Sequence, residues 1–154
     1  PWAIISRTHP DMVKRMFEAE VPEIYDGTVE IKQISREAGA RTKMAVLSKD
    51  KNVDAIGACI GSKGARVNTI VEELRGEKID IIEYDEDPVK FIAAALAPAE
   101  VLNVNLDSET DKSCTVIVPN NQLSLAIGNK GQNARLAAKL TGWKIDIKPE
   151  NETL

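Results

Sequence analysis

Lys63 and Lys130 are each bracketed by glycines, in Ile60-Gly61-Ser62-Lys63-Gly64 and again in Ile127-Gly128-Asn129-Lys130-Gly131. A cation between residues that lack a Cβ suits one task well: holding a polyanion against the peptide backbone. Phosphates can approach the amides there, the helix that follows offers the positive end of its dipole, and the ammonium adds a full charge. Ile60 and Ile127 would line an apolar floor on which bases lie. Arg66, Gln132, Asn133 and Arg135 fall in the first turns after the loops, where they either reach phosphates and base edges or stand as exposed helix decoration. The spacing is not that of an ATPase phosphate loop, because one residue separates glycine from lysine and no Gly-Lys-Ser/Thr follows. Neither copy opens with the Gly-x-Gly of a dinucleotide fold. A single Gly-x-x-Gly is a weak signal, and two with the same isoleucine and lysine make a strong one.

Other chemistries find little support in the residues. His9 is the single histidine and stands beside Pro10, which suits helix capping or plain exposure. No nucleophile–base pair can be assembled from it, so catalysis is not expected, and no cofactor is either. Cys59 and Cys114 form no Cys-x-x-Cys pair, which leaves too few ligands for zinc and no disulfide framework. Cys59 lies in an apolar stretch and reads as a buried free thiol. Asp80 and Asp146 alternate with isoleucines and read as solvent-facing strand positions. Trp143, just after Gly142, reads as an anchor at a helix end rather than a platform for stacking bases. Aromatic residues make up only 4% of the chain, which argues against a surface paved with stacking rings.

The net charge of −4 weighs against nucleic acid, but the charges are segregated. Residues 120–145 hold Lys130, Arg135, Lys139 and Lys144 with no acid, and residues 31–49 hold five cations against Glu37 alone. A positive face on an acidic protein is therefore expected. No run of about eighteen apolar residues and no signal peptide appear, so a cytoplasmic protein with no membrane partner is expected. In that compartment the sequon Asn151-Glu152-Thr153 carries no meaning.

The loops must be positioned by elements that also occur twice. Each is followed by the same tetrapeptide, Lys78-Ile79-Asp80-Ile81 and Lys144-Ile145-Asp146-Ile147. A repeat of this length, in 154 residues, indicates two small domains rather than a solenoid. In the first, a helix starts at His9-Pro10-Asp11 with Met12, Val13, Met16 and Phe17 on one face, and Val21-Pro22 stops it. Strands follow at Thr28–Ser35 and Arg41–Ser48, then a helix capped by Asp54 and running to Ile60. After the loop, Val67, Ile70, Val71 and Leu74 form a helical stripe ended by Gly76, and Lys78–Tyr84 is a strand. In the second, Asp87-Pro88 opens a helix and Leu102–Leu106 alternates as a half-buried strand. Cys114, Val116 and Val118 alternate in the next, and Asn121 caps a helix to Ile127. Leu136, Ala137 and Leu140 face the core of the helix after the loop, and Trp143–Lys148 is the last strand. The linker Asp85-Glu86-Asp87 is too short for free tumbling, so a fixed relation between the modules is expected.

Helix, strand, strand, helix, Gly-x-x-Gly, helix, strand resembles the KH domain in the version whose leading helix precedes the strands. The likeness extends to Val21-Pro22-Glu23, Gly27-Thr28-Val29-Glu30-Ile31, Arg36-Glu37-Ala38-Gly39-Ala40-Arg41-Thr42-Lys43, Gln122-Leu123-Ser124-Leu125-Ala126-Ile127-Gly128 and Gly131-Gln132-Asn133-Ala134-Arg135-Leu136-Ala137. These look like the tandem KH region of the NusA family of bacterial transcription elongation, termination and antitermination factors. The resemblance implies an α+β fold of two KH modules, each a three-stranded sheet with helices on one face, at 9–84 and 85–150 with a tail at 151–154. Residues 1–8 look like the end of the OB-fold domain that precedes the pair in that family, and an opening on proline fits a piece of a longer protein. It further implies single-stranded RNA as partner, nascent or leader RNA included. RNA polymerase and other elongation factors would be met through the full-length protein. A monomer is expected. The rival readings are an RNA-targeting KH module of an RNA-processing enzyme or ribosome-associated GTPase, and an acidic docking scaffold that touches no RNA.

Overall fold

His9 starts the first element as a cap: its Nδ1 accepts the Asp11 amide, and Pro10 supplies a first helical residue that needs no amide partner. The computed structural model describes residues 9–151, so the expectations for residues 1–8 and most of the tail lie outside it. Helix α1 (Pro10–Glu20) buries Val13 and Phe17, and Val21 before Pro22 takes an extended conformation that ends it. The chain then adds a short helix absent from the sequence expectation, α2 (Pro22–Tyr25), because Pro22 is again suited to a first turn. Strands β1 (Val29–Glu37) and β2 (Arg41–Ser48) form an antiparallel hairpin with a bulge between Ile31 and Gln33. Helix α3 (Ala55–Ile60), capped by the Asp54 carboxylate, leads into the first glycine loop. Helix α4 (Ala65–Glu73) leads out of it, and β3 (Lys78–Glu83) pairs in parallel with β2. A parallel partner cannot be reached by a tight turn, so helix–loop–helix is the crossover that the sheet requires.

The chain divides after Glu83 into two compact units, and the second repeats the first. Its elements are α5 (Pro88–Ala95), β4 (Asn103–Ser108), β5 (Ser113–Val118), α6 (Leu123–Ile127), α7 (Gln132–Thr141) and β6 (Lys144–Pro149). Both sheets run in sequence order, antiparallel and then parallel. Lys78 pairs with Arg41 and Lys144 with Ser113, so the repeated tetrapeptide enters each sheet at the same register. Each unit has its own apolar core, built on Phe17, Met44, Val46 and Ile70 in one and on Ile92, Val116, Leu136 and Leu140 in the other. Burying side chains of this size contributes roughly 1.5–3 kcal/mol apiece. Cys59 and Cys114 are buried free thiols, one per unit, pushed by burial to about 12 and about 11.

Two expectations change. Asn121 does not cap α6; a 3₁₀ turn at Asn120–Gln122 precedes that helix, and Asn120 Oδ1 accepts the Asn151 amide instead. Asp80 is not solvent-facing, because Arg41 Nε (2.7 Å) and Lys43 Nζ (2.9 Å) both bind its carboxylate and Lys43 is wholly buried. Burial draws the Lys43 pKa down and Asp80 opposes that pull. Its counterpart Asp146 is exposed.

The first unit also contains a buried carboxylate that pattern reading missed. Glu77 is 0% exposed and directly precedes β3. Arg36 binds it in bidentate fashion at 2.9 and 3.0 Å, while Thr42 Oγ1 (2.6 Å) and the Gly39 amide (2.8 Å) donate to it as well. Arg36 also donates to the His9 carbonyl at 3.1 Å, so the knot joins the helix start, the hairpin turn and the third strand. In the second unit the corresponding place before the tetrapeptide belongs to Trp143. Burial works to raise the Glu77 pKa, yet these donors together hold it below the usual carboxylate value. A lowered folded-state pKa means stability that is present above about pH 4.3 and lost as the pH falls through the folded value. Glu77→Ala, which strands the Arg36 guanidinium, is expected to cost about 3–5 kcal/mol in urea unfolding at neutral pH. The gap between the native chain and Glu77→Gln should shrink as the pH is lowered through that window. A gap independent of pH would show that the carboxylate does not act as a charge.

Candidate nucleic-acid interface

The two glycine loops share one backbone conformation. Gly61 and Gly128 have φ/ψ of 79/175° and 82/170°, Lys63 and Lys130 have 55/28° and 56/30°, and Gly64 and Gly131 have 76/13° and 77/12°. The first pair occupies a region open essentially to glycine alone, and the lysines are held left-handed, which is costly for any residue with a Cβ. Within each loop the hydrogen bonds repeat too. The first glycine amide caps the preceding helix, on Gly57 O (2.9 Å) or Ser124 O (2.8 Å), and the second returns to the first, at 3.2 or 3.1 Å.

The glycines therefore serve different needs. A Cβ on Gly61 would lie 2.9 Å from the Arg66 backbone nitrogen, and one on Gly128 would lie 2.6 Å from that of Asn133. Their lack of side chain admits the chain's own next helix rather than a phosphate. Around Gly64 and Gly131 the nearest atoms are side-chain nitrogens of Asn68 (3.3 Å) and Arg135 (3.8 Å), so conformation is the main demand there. Because the glycine amides are engaged internally, donors for an incoming anion must come from the exposed middle pairs Ser62–Lys63 and Asn129–Lys130 and from the first helical turns.

Ile127 is 37% exposed and Ile60 is half-buried, each beside its loop. Leu125, two residues before Ile127 on α6, is a further exposed apolar side chain. Arg135 is exposed and donates to the Lys130 carbonyl (3.0 Å), while Gln132 is half-buried at the start of α7. Two expected contact residues are placed otherwise. Asn133 is 0% exposed and its Nδ2 donates to Leu96 O and Ala126 O, so it cannot reach a ligand from that position. Arg66 is half-buried and bound to Glu23 at 3.0 Å and to Ala58 O at 2.8 Å.

The basic stretch at 31–49 is likewise not an open positive face. Arg36 is bound to Glu77, Arg41 and Lys43 to Asp80, and Lys32 and Lys49 lie 3.9 Å from Glu30. Burial and pairing absorb charges that a linear count leaves free. Lys130, Arg135, Lys139 and Lys144 are exposed in a stretch, residues 120–145, that holds no acid, so positive charge gathers locally around the second loop. A concavity of about 780 Å³ between α1 and α4 is floored by Met12, Met16, Ala19 and Ile70 and contains no loop residue. Among the described residues no three of His, Cys, Asp or Glu come together as a metal site would need, and no helix is long and apolar enough to cross a membrane.

The loop geometry yields a direct test. Gly131→Ala should cost about 1–2 kcal/mol, the left-handed penalty in open space. Gly128→Ala should cost clearly more, because its Cβ meets backbone. Urea unfolding of the two variants gives the order, and equal losses would refute this division of roles.

Comparison with known proteins agrees with this architecture. Residues 7–84 match the NusA-like first KH domain and residues 88–154 the NusA-like second KH domain. The chain is 62% identical over 152 residues to the transcription termination/antitermination protein NusA of Halalkalibacterium halodurans, and 61% identical over 152 to that of Bacillus subtilis. These alignments take in 99% of the chain but 40% and 41% of the relatives, so it spans well under half of their length. A crystal structure of APE1850 shares the fold at TM-score 0.64 and 22% identity, covering 90% of this chain and 97% of that one. With two Gly-x-x-Gly loops on two repeated three-stranded units, the chain belongs to the NusA family as its tandem KH region.

Proposed function

We propose that the chain binds single-stranded RNA on both glycine loops, as the RNA-holding region of a cytoplasmic transcription elongation, termination and antitermination factor. The observation that carries this is the coincidence of the two loops. Sequences far apart hold the same strained backbone, and each presents an exposed lysine at its apex. Backbone strain of this kind persists where a ligand clamp requires it. Modules of this class clamp about four nucleotides each, with the backbone at the glycine loop and bases on an apolar surface. Ile60, Gly61, Ser62, Lys63 and Gly64 form one clamp; Ile127, Gly128, Asn129, Lys130 and Gly131 form the other, with Gln132 and Arg135 beside it. Arg66 reaches RNA only by giving up Glu23, and Asn133 does not take part directly.

The role in transcription rests on the relatives, which are transcription termination/antitermination proteins by name. Nascent or leader RNA is the natural ligand of such a factor, and contact with RNA polymerase and other elongation factors would run through the longer protein. The chemistry is binding, without a catalytic step, and the chain acts as a monomer.

Lys63→Asp combined with Lys130→Asp should weaken binding of an unstructured RNA by more than about tenfold and flatten its logarithmic salt dependence by about 0.7 for each lost phosphate contact. Circular dichroism should be unaltered, since both lysines are exposed. Lys130→Asp alone should do more harm than Lys63→Asp, because residues 120–145 hold cations and no acid, whereas Glu72 and Glu73 follow the first loop. Native affinity in the doubly substituted chain, measured by mobility shift at two salt concentrations, would reduce the loops to mere turns.

A further inference from the structure

We propose that Arg66 and Asn133 are a matched pair of positioning residues, each setting the shape of its glycine loop without touching the ligand; this rests on RNA binding at those loops. The two differ in size and charge. Their place is nevertheless the same, the second residue after the second glycine.

Three contacts coincide. Each residue fills the space that a Cβ on the first glycine would need, Arg66 with its nitrogen and Cγ (2.9 and 2.7 Å), Asn133 with its nitrogen and Cβ (2.6 and 2.8 Å). Each donates a side-chain N–H to the last turn of the helix before the loop: Arg66 Nη1 to Ala58 O and Asn133 Nδ2 to Ala126 O, both at 2.8 Å. Each then reaches a helix that precedes the unit's first strand, Arg66 at Glu23 in the first turn of α2 and Asn133 at the Leu96 carbonyl (3.0 Å) that closes α5. One side chain thus ties together the helix before the loop, the helix after it and the helix that precedes the unit's first strand. Both Nδ2 protons of Asn133 are used in this way, while its Oδ1 is buried without a hydrogen-bond partner among the described residues.

The two ties differ in kind. The second is neutral and sealed from solvent. The first is ionic, with Arg66 and Glu23 side chains 31% and 30% exposed, and is open to screening by salt.

Removing Glu23 separates positioning from direct contact by the sign of the effect. Were Arg66 a phosphate ligand, Glu23→Ala would release its guanidinium, delete a nearby negative charge and tighten binding of a mixed-sequence single-stranded RNA. Positioning predicts weaker binding in spite of the favourable charge change, by roughly three- to tenfold, with most of the loss recovered in Glu23→Gln, which keeps an acceptor. Asn133→Ala should move the Gly128 and Gly131 amide resonances of the free chain, leave those of the β4–β5 hairpin in place, and weaken RNA binding roughly tenfold at a temperature where the chain is fully folded. Tighter binding in Glu23→Ala, or unmoved glycine resonances in Asn133→Ala, would overturn the proposal. So would moved resonances with unchanged affinity. If Asn133→Ala does not fold, the two Glu23 variants decide. RNA binding itself fails separately, through native affinity in the doubly substituted Lys63 and Lys130 chain, whereas the glycine resonances report on loop shape with no RNA present.

Discussion

The backbone contact between the first glycine of each loop and the helix that follows is the constraint on which the rest of each unit depends. Parallel pairing of β3 with β2, and of β6 with β5, obliges the chain to leave the sheet and return through two helices. Four residues reverse its course between them, and reversal that tight brings the peptide of Gly61 or Gly128 against the nitrogen of Arg66 or Asn133. No Cβ can be fitted there. The lysine is then forced left-handed and outward, so its exposure follows from the crossover geometry.

Much of this was legible in the residues. Alternation in Cys114, Val116 and Val118 and the stripe from Val67 to Leu74 identified the strand and the helix, since burial of one face imposes its period on apolar side chains. The doubled Gly-x-x-Gly located the loops. What stayed hidden was three-dimensional pairing. Nothing in the one-dimensional pattern brings Arg36 to Glu77 or Lys43 to Asp80, so three cations of a stretch that looked like a surface turned out to be paired within the fold. Asn133 was unreadable for a related reason: a polar residue in a first turn is commonly exposed, and only the packing of α5 and α6 shows it sealed.

The units are alike in backbone and unlike in electrostatics. One contains a buried carboxylate with four donors, three from the side chains of Arg36 and Thr42 and one from the Gly39 peptide, together with a lysine shut away on its sheet. Buried charges of this type define a single arrangement at a considerable desolvation cost. The other has half-buried Trp143 at the corresponding place in the chain and, among its described residues, no fully buried charged side chain. A duplicated framework has thus been filled by two solutions to the same packing problem. One tolerates ions internally, and the other does without them there.

The sulfhydryl groups follow this division into units, one on the helix that enters the first glycine loop and one on the central strand of the second sheet. With ionisation pushed to about 12 at Cys59 and about 11 at Cys114, neither is a nucleophile while its surroundings stay closed. Alkylation by a reagent in solution is therefore gated by transient opening, and each half of the molecule carries its own native clock for that event.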